Sequence, residues 1–516
     1  MPRLVPRPRH ARACACAAAL LLAAACGGGS GAGDGGAVHD GLEPPLNPFL
    51  ADSPWPMTHR NPYAQASSPY PGPRPEDVLA AQTGLTAPAP ITAAVSSPYA
   101  DGRRAIWGAT FVSVFKAIER DGHLETVDAK QSLPGLGHLI SGAYTVLDRD
   151  GTLFFPRVRT LFAYRDAEPG VPDSPIEQVG AKDLSDVLAE SDEVVGMTLT
   201  YDGHIAFASA EGVVGVLTRD LSGLQTVRLG DAASPEQVSN SIATDEDGGL
   251  YVVTSRFMHR VQWTGTALTS DPSAGAWTST YETGSADPAT GRLGAGSGST
   301  PTLMGTGSGD RFVVITDGQR LMHLTFLWRD AIPPDWQPIA PGKDRRIAAE
   351  IPVTFGDPSA TASLSEQSVL VRGYDALVVN NLWNLPEPSP LGQLAVLLSG
   401  LPDVASYGVE LFRWDPRTRT ASSRWSNRDV SCPNSIPTMS VATGLAYCIG
   451  AHAGAWTLEG LDWNDGRSVL RFTLGKELGW NSIYAATEVG AGGSILSGTV
   501  GGLVRLAPAG ASAPAS

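Results

Sequence analysis

Asp245-Glu-Asp-Gly-Gly-Leu-Tyr-Val-Val253 decides how this chain is read. An aspartate and two glycines mark a tight turn: Asp bonds its own backbone two residues on, and Gly accepts a left-handed conformation. A run of apolar and β-favouring residues follows at once. Asp148-Arg-Asp-Gly-Thr-Leu-Phe154 and Tyr201-Asp-Gly-His-Ile-Ala-Phe207 repeat the unit. Strand, turn and strand return seven or eight times at spacings of about 40 to 60 residues, the mark of small sheets repeated radially. The expectation is an all-β chain forming a single β-propeller of eight blades, with seven as the alternative count.

Working outward, blade-like units fall at 105–131, 140–170, 194–230, 239–283, 299–354, 364–427, 432–475 and 480–507. Val252-Val253, Phe312 to Ile315, Ala376 to Val379 and Leu445 to Ile449 read as strands buried on both faces. Trp414-Asp-Pro416 and Asn464-Asp-Gly466 mark the more polar outer hairpins. The last unit has room for three strands, so a strand from the N-terminal region is expected to complete it and remove the exposed edge. Residues 38–104 are rich in Pro, Ser and Ala and read as irregular chain wrapping one face. The propeller is placed at 105–508, with a flexible tail at 509–516. Asp183 to Glu190 reads as one or two helical turns. Pro390 to Leu401, containing Leu394-Ala-Val-Leu-Leu398, is an apolar insertion: a packed loop, a lid or a partner-binding knob.

The 516 residues are 42% hydrophobic and 17% charged, with 58 glycines and 40 prolines, as many short strands and turns require. Met1 to Arg12 carries four arginines and no acid, followed by the apolar run Ala17 to Ala25 and Cys26. Residues 1–25 thus read as a signal peptide, too short to span a bilayer. Leu21-Leu-Ala-Ala-Ala-Cys26 resembles a bacterial lipobox, which implies a lipid on Cys26; a plain secretory signal is the alternative. The glycine-rich stretch 26–37 reads as a tether. The expected location is exported and lipid-anchored, on the periplasmic or cell-surface side. Cys14 and Cys16 leave with the signal, so Cys432 and Cys448 remain; an exported chain favours a disulfide between them over two free thiols. Lys and Arg number 37 against 52 Asp and Glu, a net charge of −15; without the four signal arginines it is 33 against 52, or −19. Such a surface excludes nucleic acid as a partner.

Ser53-Pro-Trp-Pro-Met57 resembles the opening of bacterial propellers with PQQ-like repeats, the outer-membrane assembly lipoprotein among them. Leu458-Glu-Gly-Leu-Asp-Trp463 with Asp465-Gly466 is similar to their strand–turn repeat. Asn240-Ser-Ile-Ala-Thr-Asp-Glu-Asp-Gly-Gly-Leu-Tyr251 resembles a blade of the gluconolactonase and senescence-marker group. These resemblances imply the fold and an extracytoplasmic address.

In a propeller, the loops entering the innermost strands and those after the second strands open on one face, around the channel mouth. His138, Asn240, Thr300, Glu366, Ser435 and Asn481 belong to the first set; Asp317, Asn380 and Asn381 belong to the second. Converging polar groups make this mouth the expected ligand site. Glu366, Asn240, Asn481 and Asp317 offer oxygen ligands to a hard cation, calcium first. In the gluconolactonase group, comparable side chains hold a metal that polarises a substrate carbonyl or binds water. The competing reading is that Asn and Ser cap turns. His138 and Glu366 are the candidate catalytic groups, His138 as a general base.

There is no His-Glu-x-x-His, no Gly-x-Ser-x-Gly elbow and no Cys-x-x-Cys. The glycine runs near Gly294 and Gly305 lack a following Lys-Ser/Thr. PQQ dehydrogenases generally carry adjacent cysteines that stack on the quinone, and their absence argues against quinone binding. Twelve tryptophans are expected in packing between blades. The sequence therefore points to a membrane-anchored binding propeller whose mouth takes a small molecule, a glycan or a protein. A metal-assisted hydrolase or lactonase is the alternative, and a quinoprotein-like oxidoreductase comes third.

Overall fold

Asp245 behaves as its sequence suggests. Its carboxylate accepts from the amides of Asp247 (3.0 Å) and Gly249 (2.7 Å), closing the turn between two antiparallel strands. Gly248 sits at φ +79°, where a Cβ would lie 2.1 Å from the carbonyl oxygen of Trp263, so only glycine fits. Asp148 repeats the device, accepting from the amides of Asp150 and Thr152.

These turns belong to a computed structural model that describes residues 36–84, 92–133, 143–284, 292, 294–382 and 401–509. The signal peptide, Cys26 and nearly all of the tether lie outside the described residues. So do His138, residues 390–400 of the insertion and the tail from 510.

Eight sheets follow one another: blades 1 to 8 at 93–131, 146–183, 194–228, 243–280, 302–352, 370–427, 438–475 and 488–508. In each, the blade's own strands run antiparallel and in sequence from the innermost outward, while Ser67–Ser68 adds to blade 7 in parallel. Blade 8 is completed on its outer edge by Leu79–Gly84, which pairs antiparallel with Leu503 to Pro508. The expected N-terminal closure therefore exists, and it joins the two ends of the ring.

The strands pack between blades rather than within them. Phe312, Trp328 and Trp414 meet across blades 5 and 6, with ring centroids 4.6 to 5.8 Å apart. Val489, Leu496 and Leu503 of blade 8 share a cluster with Ala93, Val95 and Phe115 of blade 1. No blade can bury its faces alone, so the ring is one cooperative unit. Cys432 and Cys448 form a disulfide with Cα atoms 5.5 Å apart, fastening the approach to blade 7 onto its second strand. No helix among the described residues is long and apolar enough to cross a membrane.

Several boundaries differ from those expected. Blade 1 begins at Ala93–Val95, upstream of residue 105, so the segment 38–104 contributes three strands to the blade sheets, Ser67–Ser68, Leu79–Gly84 and Ala93–Val95. Blade 2 gains an outer strand, Ile176–Asp183, whose polar edge carries no apolar alternation. Asp183 to Glu190 makes one turn, closed by Leu188 N–H donating to the Leu184 carbonyl, and no helix.

The largest difference concerns residues 47–70. An innermost strand bonds its second strand on one side, so its other edge faces the channel. The amides of Val95, Leu147, Thr244, Leu303, Val371, Met439 and Val441 donate from that edge to carbonyls between Trp55 and Ser68, at 2.7 to 3.1 Å. Asn47 Nδ2 reaches the carbonyls of Leu199 and Thr200 in blade 3. The segment lies inside the ring as a plug. Each inner amide would otherwise be buried without an acceptor, at a cost of about 1–3 kcal/mol.

Candidate functional site

The plug builds the floor of the mouth. His59 and Arg60 hold φ of 57° and 72°, and Ala64 and Ala66 hold 56° and 53°. Left-handed backbone costs roughly 1–2 kcal/mol per non-glycine residue, so the surrounding bonds must hold it. The turn sets the His59 imidazole, 2% exposed, among Thr300, Ser368 and Tyr144. Its Nε2 lies 3.1 Å from Thr300 Oγ1 and 3.3 Å from Ser368 Oγ, while Nδ1 has no hydrogen-bond partner among the described residues. Burial pushes its pKa down to about 4, so the imidazole is neutral. Burial also raises the Tyr144 phenol to about 12. Sequence reasoning singled out His138 and passed over His59, because nothing in His59-Arg-Asn-Pro62 announces a left-handed turn.

Above this floor, the sequence-predicted mouth residues bond to neighbouring loops, mostly across blade boundaries. Asn240 Nδ2 donates to the Ser297 carbonyl (3.2 Å). Thr300 N–H donates to Ser368 Oγ (3.3 Å). Asn381 Oδ1 accepts from Glu366 N–H (3.0 Å), and its Nδ2 donates to the Pro433 carbonyl (3.1 Å). Asn481 Oδ1 accepts from Asn434 Nδ2 (2.6 Å) and from Ile483 N–H (3.0 Å). Ser435 and Thr487 share a hydroxyl–hydroxyl bond. Beyond them, both oxygens of Glu488 accept from Ala93 N–H, which carries the belt from blade 8 to blade 1. Burial raises the Glu488 carboxyl well above its usual range and favours its neutral form. Asn380 stays local, donating to the Tyr407 carbonyl (2.8 Å) and accepting from Leu382 N–H (2.9 Å).

The four proposed oxygen ligands do not come together as one set. Glu366 Oε1 lies 4.0 Å from Arg292 Nη1, and Arg292 also donates to the Asp317 carbonyl (3.2 Å). A Cβ on Gly298 would stand 2.5 Å from Glu366 Oε2, so glycine there leaves room for the carboxylate. Asp317 accepts from the amides of Gln319 and His323 and from His323 Nδ1 (2.7 Å). That bond raises the His323 pKa. Asn240 and Asn481 are tied to Ser297 and Asn434 instead. Among the described residues, no group of three or more His, Cys, Asp or Glu could hold a metal ion.

Eight radial sheets around a plugged axis define a β-propeller. Across 88% of this chain and 98% of the other, the fold is similar to that of a europium-containing methanol dehydrogenase, with a TM-score of 0.51 and 10% identity. BamB from Moraxella catarrhalis aligns with a TM-score of 0.33 and 10% identity, over 69% of this chain and 93% of its own. No protein-family model matches the chain. A protein of Archaeoglobus fulgidus described as uncharacterized is 45% identical over 471 residues, 90% of this chain and 89% of its own length. The chain belongs to the family of that archaeal protein.

Proposed function

We propose that this protein is an exported, lipid-anchored β-propeller whose mouth binds a small molecule, a glycan or a protein partner without chemical turnover. One observation carries the non-catalytic reading: most of the mouth's Asn, Ser and Thr side chains hold bonds from blade to blade. Groups bonded in this way hold a rigid rim and are not poised to ligate a metal or move a proton. The Cys432–Cys448 disulfide supports export, since such bonds persist in oxidising compartments. The lipobox-like Leu21 to Cys26 supports anchoring.

Metal analysis of the purified chain tests the reading. No stoichiometric calcium is expected, and Glu366→Gln leaves metal content unchanged. Stoichiometric calcium lost in Glu366→Gln would favour the metal-assisted hydrolase, with Glu366 and Asp317 beside Arg292 as its centre. For the anchor, Cys26→Ser is expected to move the protein from the membrane to the soluble fraction. Equal membrane association of both forms would remove the lipid from the account.

A further inference from the structure

On the face opposite the mouth, blades 6 and 7 part around a cleft of about 580 Å³. That is within the usual range for small-molecule sites, ~300–1,000 Å³. Its walls include Arg372, Arg413, Arg417 and Arg424, together with Tyr374 and Trp463. The chain as a whole carries a net charge of −15, so four guanidinium groups in one cleft are a local reversal of sign.

The charges inside are unequally matched. Asp375 takes Arg413 bidentately (2.5 and 2.7 Å) and Arg424 as well (3.1 Å). Asp415 takes Arg417 at 3.2 Å. Arg372, 6% exposed, pairs with Asp40, whose side chain is 40% exposed. Asp40 is not part of the propeller wall. It belongs to the strap that leads into the plug, and Leu42 of the same strap rests on Gly373. Without Asp40, the cleft holds four guanidinium groups against two carboxylates. The strap's own carboxylate thus shows which chemical group this arginine accepts.

We propose that this cleft binds a small molecule carrying a carboxylate or phosphate beside a flat apolar body. The oxyanion replaces the Asp40 carboxylate on Arg372, within reach of the field of Arg413 and Arg424. The body lies against Tyr374 and Trp463. Planar guanidinium groups suit planar oxyanions, and aromatic walls suit a flat body. An acidic peptide is disfavoured, because the strap covers one side of the cleft and limits it to a compact guest. The site is independent of any ligand at the mouth.

Calorimetric titration of the full chain with benzoate and with phenyl phosphate tests this. Asp40→Asn is expected to bind both probes about three- to tenfold more tightly than wild type, since it removes a half-exposed internal competitor. Arg372→Met abolishes binding. Because Arg372 is nearly buried, its variant is checked for a cooperative thermal transition. Arg413→Gln, at a more exposed position, weakens binding at least threefold and supplies the second readout. Three results would overturn the proposal: no binding by wild type or Asp40→Asn, equal affinity of those two, or undiminished binding by Arg413→Gln. A tri-glutamate peptide that binds Asp40→Asn more tightly than either probe would assign the cleft to a peptide and overturn the small-molecule reading.

Discussion

Replacing His59 with glutamine should flatten the acid limb of the stability profile. The imidazole is buried at the centre of the ring, and its pKa falls from 6.5 to about 4. Below pH 6.5 the unfolded chain takes up a proton here that the folded chain refuses, so stability drops as pH falls. The drop is complete near pH 4, where the folded imidazole also protonates. A shift of about 2.5 units corresponds to about 3 kcal/mol lost between pH 7 and pH 4. Glutamine can still reach the hydroxyls of Thr300 and Ser368 but does not titrate. Urea unfolding of wild type and His59→Gln at half-unit steps from pH 4 to pH 7.5 measures the difference. Contributions common to both chains, such as those of Glu488 and His323, cancel in that difference. The two curves should converge toward low pH by about 3 kcal/mol relative to their separation at pH 7. Parallel curves would mean that the imidazole protonates freely in the folded protein and would refute a sealed channel floor.

Glu488→Gln should stabilise the protein above neutral pH. The folded carboxyl titrates above the unfolded one, so its contribution is present below the unfolded pKa and lost as pH rises. Thermal unfolding at pH 5 and pH 8 should show a larger advantage of the variant at pH 8. Trp414→Ala should cost about 3–5 kcal/mol, because the ring, 1% exposed, fills the seam between blades 5 and 6. A loss under 1 kcal/mol in denaturant unfolding would count against inter-blade packing as the core. Reducing Cys432–Cys448, which closes a sequence separation of 16, should destabilise by about 3 kcal/mol. The shift in urea midpoint with and without reductant measures it.

Much of the ring was legible because its punctuation is local. Asp148 and Asp245 close their turns with bonds to amides two and four residues on, so the sequence carries the signal itself. The closing strand could be expected from a missing partner, although Leu79-Ala-Ala-Gln-Thr-Gly84 has no strong alternation of its own. Ala93–Val95 was hidden by its brevity, and Ile176–Asp183 by its exposed, polar edge. The loops expected at the mouth could be named from the repeat, but their bonding was not readable. Ser435 meets Thr487 and Asn434 meets Asn481 across 52 and 47 residues of chain, and no local pattern encodes such partners. The plug escaped notice for a related reason. Its order comes from the free edges of seven blades' inner strands, and Trp55 to Ser68 has no periodicity that reports them.

Hydrogen exchange across residues 55–84 tests the central claim, that the N-terminal segment threads the channel and then closes the ring. The account predicts that peptides from 55–70 and 79–84 exchange as slowly as the second strands of the blades, and that all lose protection together on global unfolding. Exchange of 55–70 within seconds, with Phe312–Thr316 and Leu445–His452 still protected, would show an open channel and contradict it.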